Sequence, residues 1–187
     1  PAVHLHSQSG ARVVYDAQRC CFVPDLAVQA ARSAGAANGT FELDFAISEG
    51  REAGKGAAAD AGFRRRVVVA APKVDVRRMQ PMLALWEVPL PPTMQANKSF
   101  VDFQNDVTAA DILLSAREGY RSVEHTKRYT TTGMGTDQGK TSNVNALAIL
   151  GEALGHSIAD VGTTTFRAPY TPVTFGVLAG RDLGELM

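Results

Sequence analysis

The chain has 187 residues, 19 Lys plus Arg against 19 Asp plus Glu, a 45% hydrophobic fraction and two cysteines. That length allows one ordinary domain or two small ones with a real apolar core, so size alone forces neither disulfides nor metal. The even charge and the apolar fraction exclude wholesale disorder and a strongly basic nucleic-acid-binding protein.

The two cysteines are neighbours, Cys20 and Cys21, so the chain cannot build a disulfide framework or a Cys-rich zinc or iron-sulfur site from its own residues. This usage fits a reducing compartment. No apolar run reaches the roughly 18 to 20 residues that cross a bilayer, and the N-terminus lacks a secretory pattern. The expected location is cytoplasmic, with neither membrane nor nucleic acid as partner. A start at Pro1, already inside extended-looking residues, reads as an internal piece of a longer polypeptide or as a processed end.

In chain order, Ala2 to His6 and Ala11 to Tyr15 alternate around Ser9-Gly10 and predict two short strands. The small-residue run Ser33 to Thr40 leads into a helix over 41–61, marked by Phe41, Phe45, Ile47, Ala53, Ala57 and Ala58. Gly50, Gly54 and Gly56 each cost that helix about 1 kcal/mol relative to Ala, so it needs tertiary packing, and they permit close approach of another surface. Arg64-Arg65-Arg66 before Val67 to Ala71 predicts a charged turn entering a buried strand that ends at Pro72. Prolines 72, 81, 89, 91 and 92 then argue for an extended connector. Met79, Met82, Leu83, Leu85 and Trp86 make it too apolar for a free tether; intrachain burial and a subunit contact both account for it.

From Phe100 the punctuation improves. Thr108 with Asp111 predicts an N-cap and capping box, Ile112, Leu113 and Ala116 an apolar face, and Gly119 a stop. A second helix is expected from Ser122 through Tyr129, and a third from Ser142 or Asn143 to Gly155. Val161 to Phe175 reads as extended chain, and Arg167 to Pro172 as a rigid contact segment suited first to a subunit interface.

The chemistry on offer is sparse. Gly133 to Thr141 ends like a P-loop, but Met134 stands where the Walker pattern needs glycine, and no apolar parallel strand precedes it. Asp102, Asp106, Asp111 and Asp137 with His125, and His4 with His6 on one strand face, lack the spacing of a closed metal shell. His125, Glu124 and Lys127 read as surface or interdomain hydrogen bonding. No Ser or Cys nucleophile elbow is present. Gly35, Ala36, Ala37, Asn38, Gly39 and Thr40 are the one cofactor candidate. Small residues let backbone approach a bulky ligand, and a helix starting near Thr40 would aim free N–H groups at a phosphate or ribose. The same residues also suit a tight packing turn, and a full dinucleotide fingerprint with its downstream acid is missing.

Four stretches carry a family resemblance: Val101-Asp102-Phe103-Gln104-Asn105-Asp106-Val107-Thr108, Val123 to Thr130, Gly133 to Asn143, and Val161 to Arg167. Together they resemble the alpha subunits of heterotetrameric sarcosine oxidases. The resemblance implies an α/β chain: the C-terminal part of a flavoprotein-like dinucleotide-binding domain over 1–63, a strand and proline-rich connector over 64–99, a small mostly helical ferredoxin-like domain over 100–160, and an extended contact segment over 161–187. It makes Gly35 to Thr40 a cofactor-proximal segment beside NAD.

The third segment is similar to the bacterioferritin-associated-ferredoxin-like domain that holds a [2Fe-2S] cluster in relatives. At the four matching cysteine positions this chain has Asp102, Gln104, Asp137 and Ser142, so the resemblance implies a metal-free scaffold. The whole enzyme would demethylate sarcosine oxidatively to glycine, reduce oxygen to hydrogen peroxide and pass the one-carbon unit to tetrahydrofolate. FAD and FMN would lie in or beside a beta subunit and zinc in a delta subunit, with a gamma subunit completing the complex. This chain would contribute scaffold and one edge of an NAD site, with no catalytic residue of its own. A subunit of a related amine, opine or proline dehydrogenase, or a free-standing interaction module, are the alternative readings.

Overall fold

The computed structural model describes residues 2–63, 74–75, 78, 80–89, 91, 93, 98–168 and 171–181. They fall into two units divided between Leu85 and Trp86. The division lies inside the stretch read from sequence as a connector. The expected strand at Val67 to Ala71 and the Arg64-Arg65-Arg66 turn lie outside the described residues, as do Pro72 and Met79.

In the first unit, helix α1 (His4–Gln8) replaces the expected first strand. The physical reason is which side chains reach the core. Val3 and His6 are buried, three residues apart, while Leu5 is 69% exposed, which is helical rather than alternating order. The His6 ring donates to the Arg12 carbonyl at 3.0 Å, and Ser9 Oγ to the His6 carbonyl at 2.7 Å, closing the helix end. His4 and His6 therefore do not share a strand face.

The second expected strand forms as β1 (Val13–Asp16), paired antiparallel with β2 (Cys21–Pro24) from Val13 opposite Pro24 to Asp16 opposite Cys21. One Asp16 carboxylate oxygen closes the turn between them by accepting the Gln18 and Arg19 N–H groups at 2.9 and 3.0 Å. Tyr15 packs edge-on against the buried Phe22 ring, centroids 5.4 Å apart.

Helix α2 (Leu43–Asp60) confirms the helix read through its interior glycines, yet none of its 18 residues is buried. Only Gly56 makes a close approach: a Cβ there would lie 2.7 Å from the Arg32 guanidinium, which pairs with Asp60. Gly50 and Gly54 face open space. Arg78 lies 4.3 Å over the Phe45 ring and pairs with Asp44 at 2.8 Å.

The second unit is organised by a capped helix. β3 (Phe100–Asp102) pairs antiparallel with β4 (Val107–Thr108), and the chain passes directly into α3 (Ala109–Arg117). The expected capping box is present: Thr108 Oγ1 accepts the Asp111 N–H at 3.3 Å, and the Asp111 carboxylate accepts the Thr108 N–H at 2.8 Å. α4 (Val123–Thr130) starts at the Ser122 cap, and α5 (Asn143–Leu154) ends at Gly155 with φ +67°.

Six consecutive α5 residues, Ala146 to Gly151, are buried, so this helix is the centre of the unit. Its Ile149 and Leu150 pack with Val101, Val107, Ala109 and Ile112 in one apolar cluster. The short α6 (Ile158–Val161) adds Val161 to the edge of that cluster. Residues 162–168 run without regular structure, as expected. α7 (Phe175–Ala179) departs from that expectation but buries no residue.

Candidate functional site

All six cofactor candidates fall in one turn. Gly35–Asn38 form a single 3-10 turn, and Gly39 follows at φ +79°, a conformation L side chains rarely adopt. Gly39 is also required by packing, since a Cβ would lie 2.7 Å from Val23 Cγ1 on β2. The Thr40 N–H donates back to the Gly35 carbonyl at 3.0 Å.

The centre of this turn is a residue the sequence reading passed over. Glu49, on α2, accepts the Gly35 N–H at 2.8 Å and also the Asn38 side-chain amide. Partial burial pushes its carboxyl up, but bonds from Asn38, Thr40 and the Gly35 N–H outweigh it and hold the group below the ordinary carboxylate range. The first N–H of the turn thus already faces an anion. No spacing rule would have found Glu49, because it meets Gly35 only after α2 folds back along the turn.

Beside Gly39 a groove of about 200 Å³ is walled by Gln18, Arg19, Phe41, Gln80 and Met82. Arg19 is the cation there, and it is paired with Asp16 across the β1–β2 turn.

A second constellation lies in the second unit. Asp102 is 2% exposed; one carboxylate oxygen accepts the Gly133 N–H at 2.7 Å, the other the Gln104 N–H at 2.9 Å. Gln104 Oε1 accepts the Thr136 hydroxyl at 3.3 Å. Asp137 accepts the Gly139 N–H at 3.0 Å and the Thr141 hydroxyl at 3.0 Å. Burial raises the Asp137 carboxyl, and these bonds more than offset it, leaving the group below its usual range. The Ser142 hydroxyl is buried with no hydrogen-bond partner among the described residues.

The fold thus gathers Asp102, Gln104, Asp137 and Ser142 around the loop 133–142. That donor set does not fit a [2Fe-2S] cluster: three of the four groups are hard oxygen acceptors already occupied by the chain's own N–H and hydroxyl donors. The N–H groups of Gly133, Gly139 and Thr141 are the ones a phosphate loop would need, and carboxylates hold them instead. Among the described residues no group of three or more His, Cys, Asp or Glu side chains is arranged to hold a metal ion. His125 is exposed, and its N–H contacts the Ser122 cap. No described helix is long and apolar enough to cross a membrane.

Comparison with known proteins follows the same division. Residues 96–181, nearly all of the second unit, match the family model of the sarcosine oxidase A3 domain. The whole chain is 46% identical to sarcosine oxidase subunit alpha of Corynebacterium sp. (strain P-1), covering 100% of this chain and 20% of that protein. The corresponding subunit of Rhizobium meliloti (strain 1021) is 40% identical over 99% of this chain and 18% of its own length. The chain therefore spans about a fifth of the length of the relatives it matches.

Among solved structures, L-proline dehydrogenase from P. horikoshii superposes with a TM-score of 0.69 over 96% of this chain and 37% of that one. At 18% identity this similarity shows a shared mixed α/β fold and nothing more. The capped helix, the buried α5 and the Gly-rich loop belong to a matched domain, and the similarity to the named subunits continues through the first unit. Residues 96–181 belong to the sarcosine oxidase A3 domain family, and the chain as a whole corresponds to a fragment of the alpha subunits of such oxidases.

Proposed function

We propose that this chain is a scaffold and partner-contact portion of a sarcosine oxidase-type alpha subunit, and that it forms one edge of an NAD site without catalytic residues of its own. The reaction of the whole enzyme would take two electrons and two protons from sarcosine to oxygen, giving glycine and hydrogen peroxide, with the one-carbon unit passing to tetrahydrofolate. FAD, FMN, zinc and folate would be held elsewhere in the complex, by beta, gamma and delta subunits and by other parts of the alpha subunit.

The observation that carries the scaffold reading is the apolar surface left open. α2 buries nothing, although Leu43 is 54% and Phe45 52% exposed, and Leu83 and Phe175 are 95% and 89% exposed. The residues present therefore leave Leu83 uncovered. Apolar surface on this scale marks contacts with other protein.

For NAD, the residues present fit an edge and not a whole ligand. The groove beside Gly39, at about 200 Å³, is below the roughly 300–1,000 Å³ of a self-sufficient ligand pocket. Glu49 occupies the Gly35 N–H, so the contact this turn offers is to a ribose or an amide more than to a phosphate. NAD supplies a nicotinamide ring able to accept hydride. Gly39 and Arg19 would bind and orient the ligand, and Glu49 would hold the turn.

The test is co-expression with a flavin-bearing beta subunit of this family, followed by native mass spectrometry with and without NAD. A stoichiometric complex is expected, with an NAD mass that is lost in Arg19→Gln. A chain that stays monomeric beside the beta subunit would overturn the scaffold reading. An NAD mass indifferent to Arg19→Gln would overturn the assignment of the turn.

A further inference from the structure

A groove of about 540 Å³ opens in the second unit between α4, the loop 133–138 and the extended residues 165–167. Its volume lies within the range of small-molecule sites. Three cations line it, Lys127 and Arg128 from α4 and Arg167 from the extended segment, against the single carboxylate of Glu124. Glu124 sits 3.8 Å from Arg128, one helical turn away. Lys127 and Arg167 have no acidic partner among the described residues. The groove is thus locally positive in a chain whose total charge is zero, which favours a small anionic ligand over a nucleic acid.

The remaining wall mixes polar groups, Gln138 and Thr165, with apolar and aromatic ones. Phe166 and Met134 line the same groove, and Met134 is 56% exposed. Gly135 lines it too, and its N–H has no acceptor among the described residues. Arg167 is not on a loose strand: the Gln138 side chain holds its backbone from both sides at 2.9 Å. An arginine on a pinned backbone, a second cation without an acidic partner among the described residues and an aromatic side chain in the lining together match a phosphate attached to a planar base.

We propose that this groove binds a nucleotide, with its phosphates at Lys127 and Arg167 and its base against Phe166 and Met134. The site lies entirely in the second unit and is independent of the edge assigned to NAD.

Isothermal titration of the 187-residue chain with ADP tests this, with adenosine and inorganic pyrophosphate as separate arms. ADP should bind saturably and more tightly than either part, and its affinity should fall as salt rises. Lys127→Gln and Arg167→Gln should each weaken ADP binding about tenfold, the loss of one charge-assisted contact. Circular dichroism melts verify that each variant folds, and Arg128→Gln, which removes the third cation of the same lining, serves as the replacement if either does not. Absence of ADP binding overturns the proposal, as does pyrophosphate binding as tightly as ADP, which marks plain anion exchange. ADP binding that survives both substitutions but is lost in Arg19→Gln belongs to the first unit and also overturns it.

Discussion

Gln138 and Arg167 meet as two peptide groups would. Gln138 Nε2 donates to the Arg167 carbonyl at 2.9 Å, and the Arg167 N–H donates to Gln138 Oε1 at 2.9 Å. A side-chain amide thereby supplies the ladder that residues 163–168 lack, and ties them to the Gly-rich loop. Gln138 does so from φ +52°, a backbone region unusual for a residue with a side chain.

Removing that amide should loosen the extended segment without unfolding the unit. Gln138→Ala loses both bonds and keeps the strained backbone, at a cost of about 1 kcal/mol for exposed hydrogen bonds. Amide hydrogen exchange at Arg167 is expected to accelerate about tenfold while α5 stays protected. Unchanged exchange at Arg167 would show that the pair does not hold the segment.

Glu49 makes the first unit acid-sensitive. Its folded pKa is lowered, so its contribution is fully present above the ordinary glutamate pKa and is lost as pH falls through the folded value. In urea unfolding, Glu49→Gln should be less stable than the unmodified chain at pH 7, by about 1–2 kcal/mol for charge-assisted bonds. The gap should narrow as pH falls below the ordinary glutamate range and through the lowered folded value, where the native carboxyl itself takes up a proton. A gap that is constant with pH would mean the carboxylate charge is not what holds the turn.

The loop 133–142 closes around Asn143. A Cβ at Gly139 would lie 1.9 Å from Asn143 Oδ1, with φ +74°, whereas Gly119 at φ +95° faces open space. Gly119→Ala should cost about 1 kcal/mol, the backbone term alone. Gly139→Ala should cost more, because it also displaces the Asn143 amide from the Gln138 carbonyl, which it reaches at 3.3 Å. In the double variant with Asn143→Ala the excess should shrink, and a strictly additive double-mutant cycle would refute the coupling.

Ser115 and Ser142 offer a paired test of buried hydroxyls. Ser115 is 0% exposed and donates to the Ile112 carbonyl at 2.9 Å; Ser142 is 1% exposed and its hydroxyl has no partner among the described residues. Ser115→Ala should lose about 1 kcal/mol, while Ser142→Ala should be neutral or stabilising, since it removes an unsatisfied polar atom. Thermal melts of the two variants give the order directly, and Ser142→Ala melting below Ser115→Ala would contradict it.

Much of the second unit was legible in its sequence because its signals are local. The Thr108–Asp111 box, the Ser122 cap, the Gly119 and Gly155 stops and the apolar run of α5 each act within a turn or two of the chain. A hydrogen bond spanning three residues can be read from the spacing of those residues. The resemblance to sarcosine oxidase alpha subunits rests on the same stretch and is shared with the A3 domain model.

The expected first strand gives way to a helix because Val3 and Leu5 alternate with His4 and His6 in the sequence, whereas burial falls on Val3 and His6. The interior then selects positions three apart, and a helix forms. Glu49 beneath the Gly35–Thr40 turn, Gln138 against Arg167, and the convergence of Lys127 with Arg167 link residues 14 to 40 positions apart. By itself, the sequence determined the caps, helices α2 to α5 and the family resemblance. Only the tertiary structure decided which acid the turn faces and which cations share a groove, since such pairings are set by how packed elements cross and no local spacing encodes them.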